Sequence, residues 1–68
     1  MYRVTLHMTN GVQISTYVND IDAAMVRREM GNAWSRGVTK GEITIQGDPT
    51  IVVNPVHVIA VTTQADNR

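Results

Sequence analysis

Residues 20–36 read DIDAAMVRREMGNAWSR. Spaced at about 100° per residue, Ala23, Val26, Met30, Ala33 and Trp34 fall within one apolar arc, while Ala24, Arg28, Gly31 and Ser35 lie opposite. That periodicity predicts an amphipathic helix over Asp20 to Arg36. Asn19 or Asp20 can cap it by accepting a bond from a free N–H, and Asp20 and Asp22 complement the positive end of the helix dipole. Arg36 sits in the last turn, where a cation is favourable, and Gly37 is the natural residue to end the helix. Gly31 is discordant, because glycine in a helix interior costs about 1 kcal/mol against alanine. Trp34 is expected to pack under a sheet, with its indole N–H finding a partner. With Ala24 and Gly31, Met25 leaves part of the outer helix surface small or apolar.

Upstream of the helix, Tyr2, Val4, Leu6 and Met8 alternate with Arg3, Thr5, His7 and Thr9, the period-2 pattern of a half-buried strand. Asn10-Gly11 follows, and then Val12, Ile14, Thr16 and Val18 alternate with Gln13, Ser15 and Tyr17. Asn-Gly between such runs marks a hairpin. A two-residue loop would pair Leu6 with Ser15 and set the two apolar rows on opposite faces. The loop Thr9-Asn10-Gly11 instead pairs Met8 with Val12, Leu6 with Ile14 and Tyr2 with Val18, all on one face. The expected connection is therefore the longer loop, with Gly11 left-handed as a G1 bulge.

Downstream, Val38 to Gly41 reads as a connector, and Ile43 and Ile45 alternate with Glu42, Thr44 and Gln46. Gly47-Asp48-Pro49 is a turn signal, after which Ile51, Val52 and Val53 resume an apolar strand. Asn54-Pro55 interrupts it. Val56 to Thr63 reads as a last strand that is apolar on both faces: Val56, Val58 and Ala60 on one, Ile59 and Val61 on the other. Gln64 to Arg68 is expected to fray. The order is ββαβββ, an α+β domain with an antiparallel sheet and one helix packed on it. Residues 1–68 form a single domain, without internal repeat or linker. The strand, short Asn54-Pro55-Val56-His57 turn and strand resemble the end of SH3-like and Sm-like small barrels, where one 3₁₀ turn joins the last two strands. The resemblance covers about the last third of the chain and implies architecture only. Those barrels do not normally carry a full helix between their second and third strands, so their binding residues do not transfer. Alternation alone leaves both an open sheet and a small SH3-like barrel available.

Composition narrows the function classes. A chain of 68 residues buries only about 60% of its extended surface, so its core is marginal without a supplement. There is no cysteine to make disulfides, and His7 and His57 are too far apart in sequence to suggest a zinc site, which leaves oligomerisation as the common remedy. The formal net charge is zero, against a dedicated nucleic-acid binder. The start, Met1-Tyr2-Arg3-Val4-Thr5-Leu6, lacks the apolar run of a signal peptide, and no stretch approaches the ~20 apolar residues of a membrane span. A cytoplasmic protein is the expectation. Its small size and style are common among bacterial and phage proteins.

No catalytic set, cofactor motif or metal-ligand spacing emerges. His57 could pair in space with Asp48 or Glu42, but no spacing demands it. Gly37, Gly41 and Gly47 do not form a phosphate-cradling motif. The reading that follows is a small non-enzymatic protein–protein interaction or structural module acting as a homo-oligomer. Its expected interface is a second sheet face built from Tyr17, Val52, Ile59 and Val61, more apolar surface than one helix can cover. The last strand, if it lies at a sheet edge, also offers strand addition across a two-fold axis. The alternative is a nucleic-acid-binding or regulatory small β-domain using Arg3, Arg27, Arg28, Arg36 and Lys40, with binding that weakens steeply with salt.

Overall fold

The hairpin closes as its register requires. In a computed structural model that describes residues 1–37 and 41–66, strand β1 (Tyr2–Met8) pairs antiparallel with β2 (Gln13–Val18). Tyr2 lies opposite Val18 and Leu6 opposite Ile14. The Gly11 N–H donates to the Met8 carbonyl at 3.0 Å, the Met8 N–H donates to the Val12 carbonyl at 2.9 Å, and Gly11 has φ +88°. Glycine is what this loop needs, since a side chain resists that backbone conformation.

Helix α1 spans Asp20–Arg36. The Asn19 side chain caps it, accepting the Asp22 N–H at 2.8 Å. Gly37 ends it at φ 64°, its N–H directed to the carbonyls of Ala33 and Trp34. Ala23, Val26, Met30 and Ala33 are buried against the sheet. Gly31 has no steric reason to lack a side chain, because a Cβ built there meets nothing within 4 Å. Gly31→Ala should therefore stabilise the domain by about 1 kcal/mol, a rise in Tm of roughly 4–8 °C for a domain this small. Thermal denaturation followed by circular dichroism reads it directly, and an unchanged or lowered Tm would contradict the expectation.

The remaining elements are β3 (Ile43–Ile45), β4 (Ile51–Val53), a 3₁₀ turn over Pro55–His57, and β5 (Val58–Ala65). Asn54 caps the 3₁₀ turn by accepting the Val56 N–H at 3.1 Å. One antiparallel sheet has the order β2-β1-β5, and β3 and β4 form a second, two-stranded one. The fold is α+β in the order ββαβββ, and the sheet is not closed into a barrel. A backbone bridge between Tyr17 and Asp48 links the two sheets. Core residues come from all three layers: Val4, Leu6, Val18 and Val58 from the larger sheet, Val26 and Met30 from the helix, and Ile45 and Val53 from the smaller sheet.

Strand β5 departs from strict alternation. Leu6 faces Val61 and His7 faces Ala60, but Met8 faces Val58, so the register shifts at Ile59. This bulge puts Val58 and Val61 on the same side. Val58 is buried and Val61 packs against the core, while Ile59 is 65% exposed. The expectation that Val61 projects outward with Ile59 is thereby corrected: one extra residue reverses the alternation beyond it. The strand also begins at Val58, with Val56 exposed in the 3₁₀ turn, and runs through Gln64 to Ala65 where fraying was expected. Gln64 and Ala65 pair with Arg3 and Tyr2, and the Asp66 N–H donates to the Met1 carbonyl at 2.9 Å.

Candidate interaction surface

The outer face of the larger sheet is polar. Arg3 donates to the Gln64 side-chain carbonyl at 2.6 Å, the Thr5 and Ser15 hydroxyls meet at 2.9 Å, and His7 Nε2 lies 3.2 Å from the Thr62 hydroxyl. These cross-strand pairs tie all three strands together on the side away from the helix. Tyr17, half-buried, lies opposite Arg3 in the register. Val52 sits on the smaller sheet, 57% exposed beside Thr44. Val61 belongs to the core side. The expected set Tyr17, Val52, Ile59 and Val61 is thus divided between two sheets and two sides, and does not assemble into one apolar face.

The strand edges differ from each other. Tyr17 and Asp48 exchange both backbone bonds, at 2.9 and 3.2 Å, on the side of β2 away from β1. Because antiparallel strands alternate the direction of their bonds, Arg3, Thr5 and His7 direct their backbone groups toward β5. Their partners Gln64, Thr62 and Ala60 therefore face β1. Val61, Thr63 and Ala65 turn their N–H and C=O groups to the other side, where no strand pairs among the described residues. This edge belongs to the longest strand, eight residues reading VIAVTTQA, with neither a charge nor a proline. Natural edges are usually guarded by one or the other.

Trp34 stands at the start of that edge. It is 46% exposed, and its Nε1–H donates to the Val58 carbonyl at 3.2 Å. Its angular position on the helix is as expected, and its indole has the partner it needed. The correction concerns depth: beneath that turn of α1 lies the margin of the sheet, so the ring rests along the margin and one side remains in water. Val56, 43% exposed in the 3₁₀ turn, and Ile59 add further apolar surface in the segment that leads into and begins β5. Another exposed apolar group, Ile21 and Met25, lies with Ala24 and Arg28 near the start of the helix.

The arginines do not form one surface. Arg3 is on the outer face of the sheet, whereas Arg27, Arg28 and Arg36 are exposed on the helix that packs against the inner face. Lys40 lies outside the described residues. Arg36 lines a groove of about 210 Å³ between α1 and the smaller sheet, together with Glu29 and Glu42. Two carboxylates beside one guanidinium make that groove a poor seat for phosphate. His57 lines a shallow pocket with Met8, Thr9 and Asn10, which neither Asp48 nor Glu42 reaches. Among the described residues, no group of three metal-binding side chains is placed to hold an ion. Nor is any described helix long and apolar enough to cross a membrane.

On this surface, the bulge and the place of Trp34 at the strand edge are not legible from local alternation. A signal for the first existed: Val58-Ile59-Ala60-Val61 is apolar at a spacing of three, which a bulge places on one face. Comparisons with protein-family models, curated proteins and solved structures find no match to this chain.

Proposed function

We propose that the chain is a small, cytoplasmic, non-enzymatic interaction module that works as a homo-oligomer, joined by strand addition at β5. The observation that supports this reading is the open, uncharged edge of the longest strand. A row of outward N–H and C=O groups is a template for another strand. Self-pairing brings no like charges together along β5, and the chain as a whole has a formal net charge of zero. Association also supplies the extra burial that a domain of this size needs. Ile59 and Val61, two of the four interface residues expected from the sequence, lie on this strand.

Association through a single strand edge is expected to depend on concentration. Size-exclusion chromatography with light scattering, run over a range of loadings, tests it. Wild type should approach twice the chain mass or more as loading rises. Thr63→Pro removes an outward N–H without removing a bond to β1, and should hold the protein at the mass of one chain with its fold intact. An association indifferent to Thr63→Pro would sink the edge reading.

A further inference from the structure

The two edges of the larger sheet decide more than whether copies associate. Resting on the strand-addition reading above, we infer that the assembly is a closed two-fold dimer in which β5 pairs antiparallel with β5 of a second copy, centred on Thr62. Two observations set this geometry. Trp34 occupies the Val58 carbonyl, so the usable edge begins at Ile59. The strand ends at Ala65. The midpoint of Ile59–Ala65 is Thr62, and a two-fold pairing that uses the whole segment puts Thr62 opposite its own copy. Val61 then faces Thr63 of the second copy, Ala60 faces Gln64, and the exposed Ile59 faces Ala65.

The phase of the backbone agrees with that centre. Val61 and Thr63 both turn their N–H and C=O groups outward and would form a hydrogen-bonded pair across the axis. Thr62 turns its own groups toward Thr5, so the central pair is a non-hydrogen-bonded one, the kind in which side chains approach most closely. Thr62 is exposed on the outer face, where its hydroxyl meets His7.

Closure follows from the other edge. Head-to-tail growth needs β2 of one copy to receive β5 of the next. The turn containing Asp48 closes the Tyr17 end of that side, because Tyr17 already exchanges both backbone bonds with Asp48, and the Thr16 hydroxyl donates to the Pro49 carbonyl beside it. The stretch from Gln13 to Ser15 that is left is too short to receive the whole of Ile59–Ala65. The sheet therefore doubles once, to β2-β1-β5-β5-β1-β2, and stops. Both helices then lie on the same face of the joined sheet, since an axis perpendicular to a sheet preserves its sides.

The chain has no cysteine, so engineered thiols report proximity cleanly. Under mild oxidation Thr62→Cys alone should convert almost entirely to a covalent species of twice the chain mass, reversed by dithiothreitol, with no larger species. Ala60→Cys alone should stay uncoupled, whereas a mixture of Ala60→Cys and Gln64→Cys chains should link to each other. That mixture keeps the test decisive if Thr62→Cys folds poorly. If Thr63→Pro abolishes association but Thr62→Cys and the mixed pair do not couple, β5 is the contact and the two-fold centre at Thr62 is wrong. Coupling between Thr62→Cys chains and Ser15→Cys chains in a mixture of the two single variants would mean head-to-tail growth and would overturn closure. A protein that stays monomeric at every concentration would overturn the strand-addition reading and this inference together, leaving the edge for an extended segment of a different protein.

Discussion

Gly47→Ala should destabilise the domain by about 2–3 kcal/mol and lower its Tm by more than about 10 °C. The cause is contact with β2. A Cβ at Gly47 would sit 2.6 Å from the Thr16 hydroxyl oxygen, 2.7 Å from the Tyr17 carbonyl oxygen and 2.9 Å from a Val18 methyl. None of these atoms can retreat cheaply. Thr16 and Val18 are buried and β-branched, with restricted rotamers, and the Tyr17 carbonyl accepts the Asp48 N–H. Relief requires the turn to lift away from β2, which breaks the Tyr17–Asp48 bridge and the Thr16–Pro49 bond, two polar contacts between the smaller sheet's turn and the larger sheet. Gly31→Ala makes the informative contrast, since the same chemical change there meets open space and should stabilise. Thermal or urea denaturation of the two variants side by side measures both. Equal effects would mean that the close approach at Gly47 is not a real constraint.

Much of this fold is legible in the chain because local and long-range signals agree. The hairpin register came from demanding that Leu6 and Ile14 share a face, and the helix limits came from Asn19, Arg36 and Gly37. Each of these is a short-range pattern that one physical rule decides. Gly47 shows the opposite case. Its neighbours mark a turn, but the need for glycine comes from a strand about thirty residues earlier in sequence, and nothing local records it. Trp34 is intermediate: its helical angle was readable, whereas the sheet margin beneath it depends on how β5 is placed. The candidate surface was less legible still. A sequence shows which side chains are apolar, but an open backbone edge is a property of strand order, and strand order is not written in alternation.

The bulge at Ile59 makes adjacent positions on β5 respond oppositely to the same substitution. Val61→Asp puts a carboxylate against Leu6 and the core, and should cost about 2–4 kcal/mol, enough to unfold much of a marginal domain. Ile59→Asp puts it on a residue that is 65% exposed, and should cost the isolated chain under about 1 kcal/mol. Strict alternation predicts nearly the same result for both, since they would share an outer face. Loss of near-ultraviolet circular dichroism from Trp34 together with a collapsed urea midpoint is therefore expected for Val61→Asp alone. Ile59→Asp should keep the spectrum and the midpoint of a monomer while weakening self-association, because it places a carboxylate beside the strand edge of each copy. A folded, stable Val61→Asp protein would show that the strand keeps its alternation and carries no bulge. If both variants unfold, Ile59 is buried by contacts that its exposure excludes. The pair thus tests the register of β5 on one readout and its role as an edge on the other, with each outcome separable from a general loss of structure.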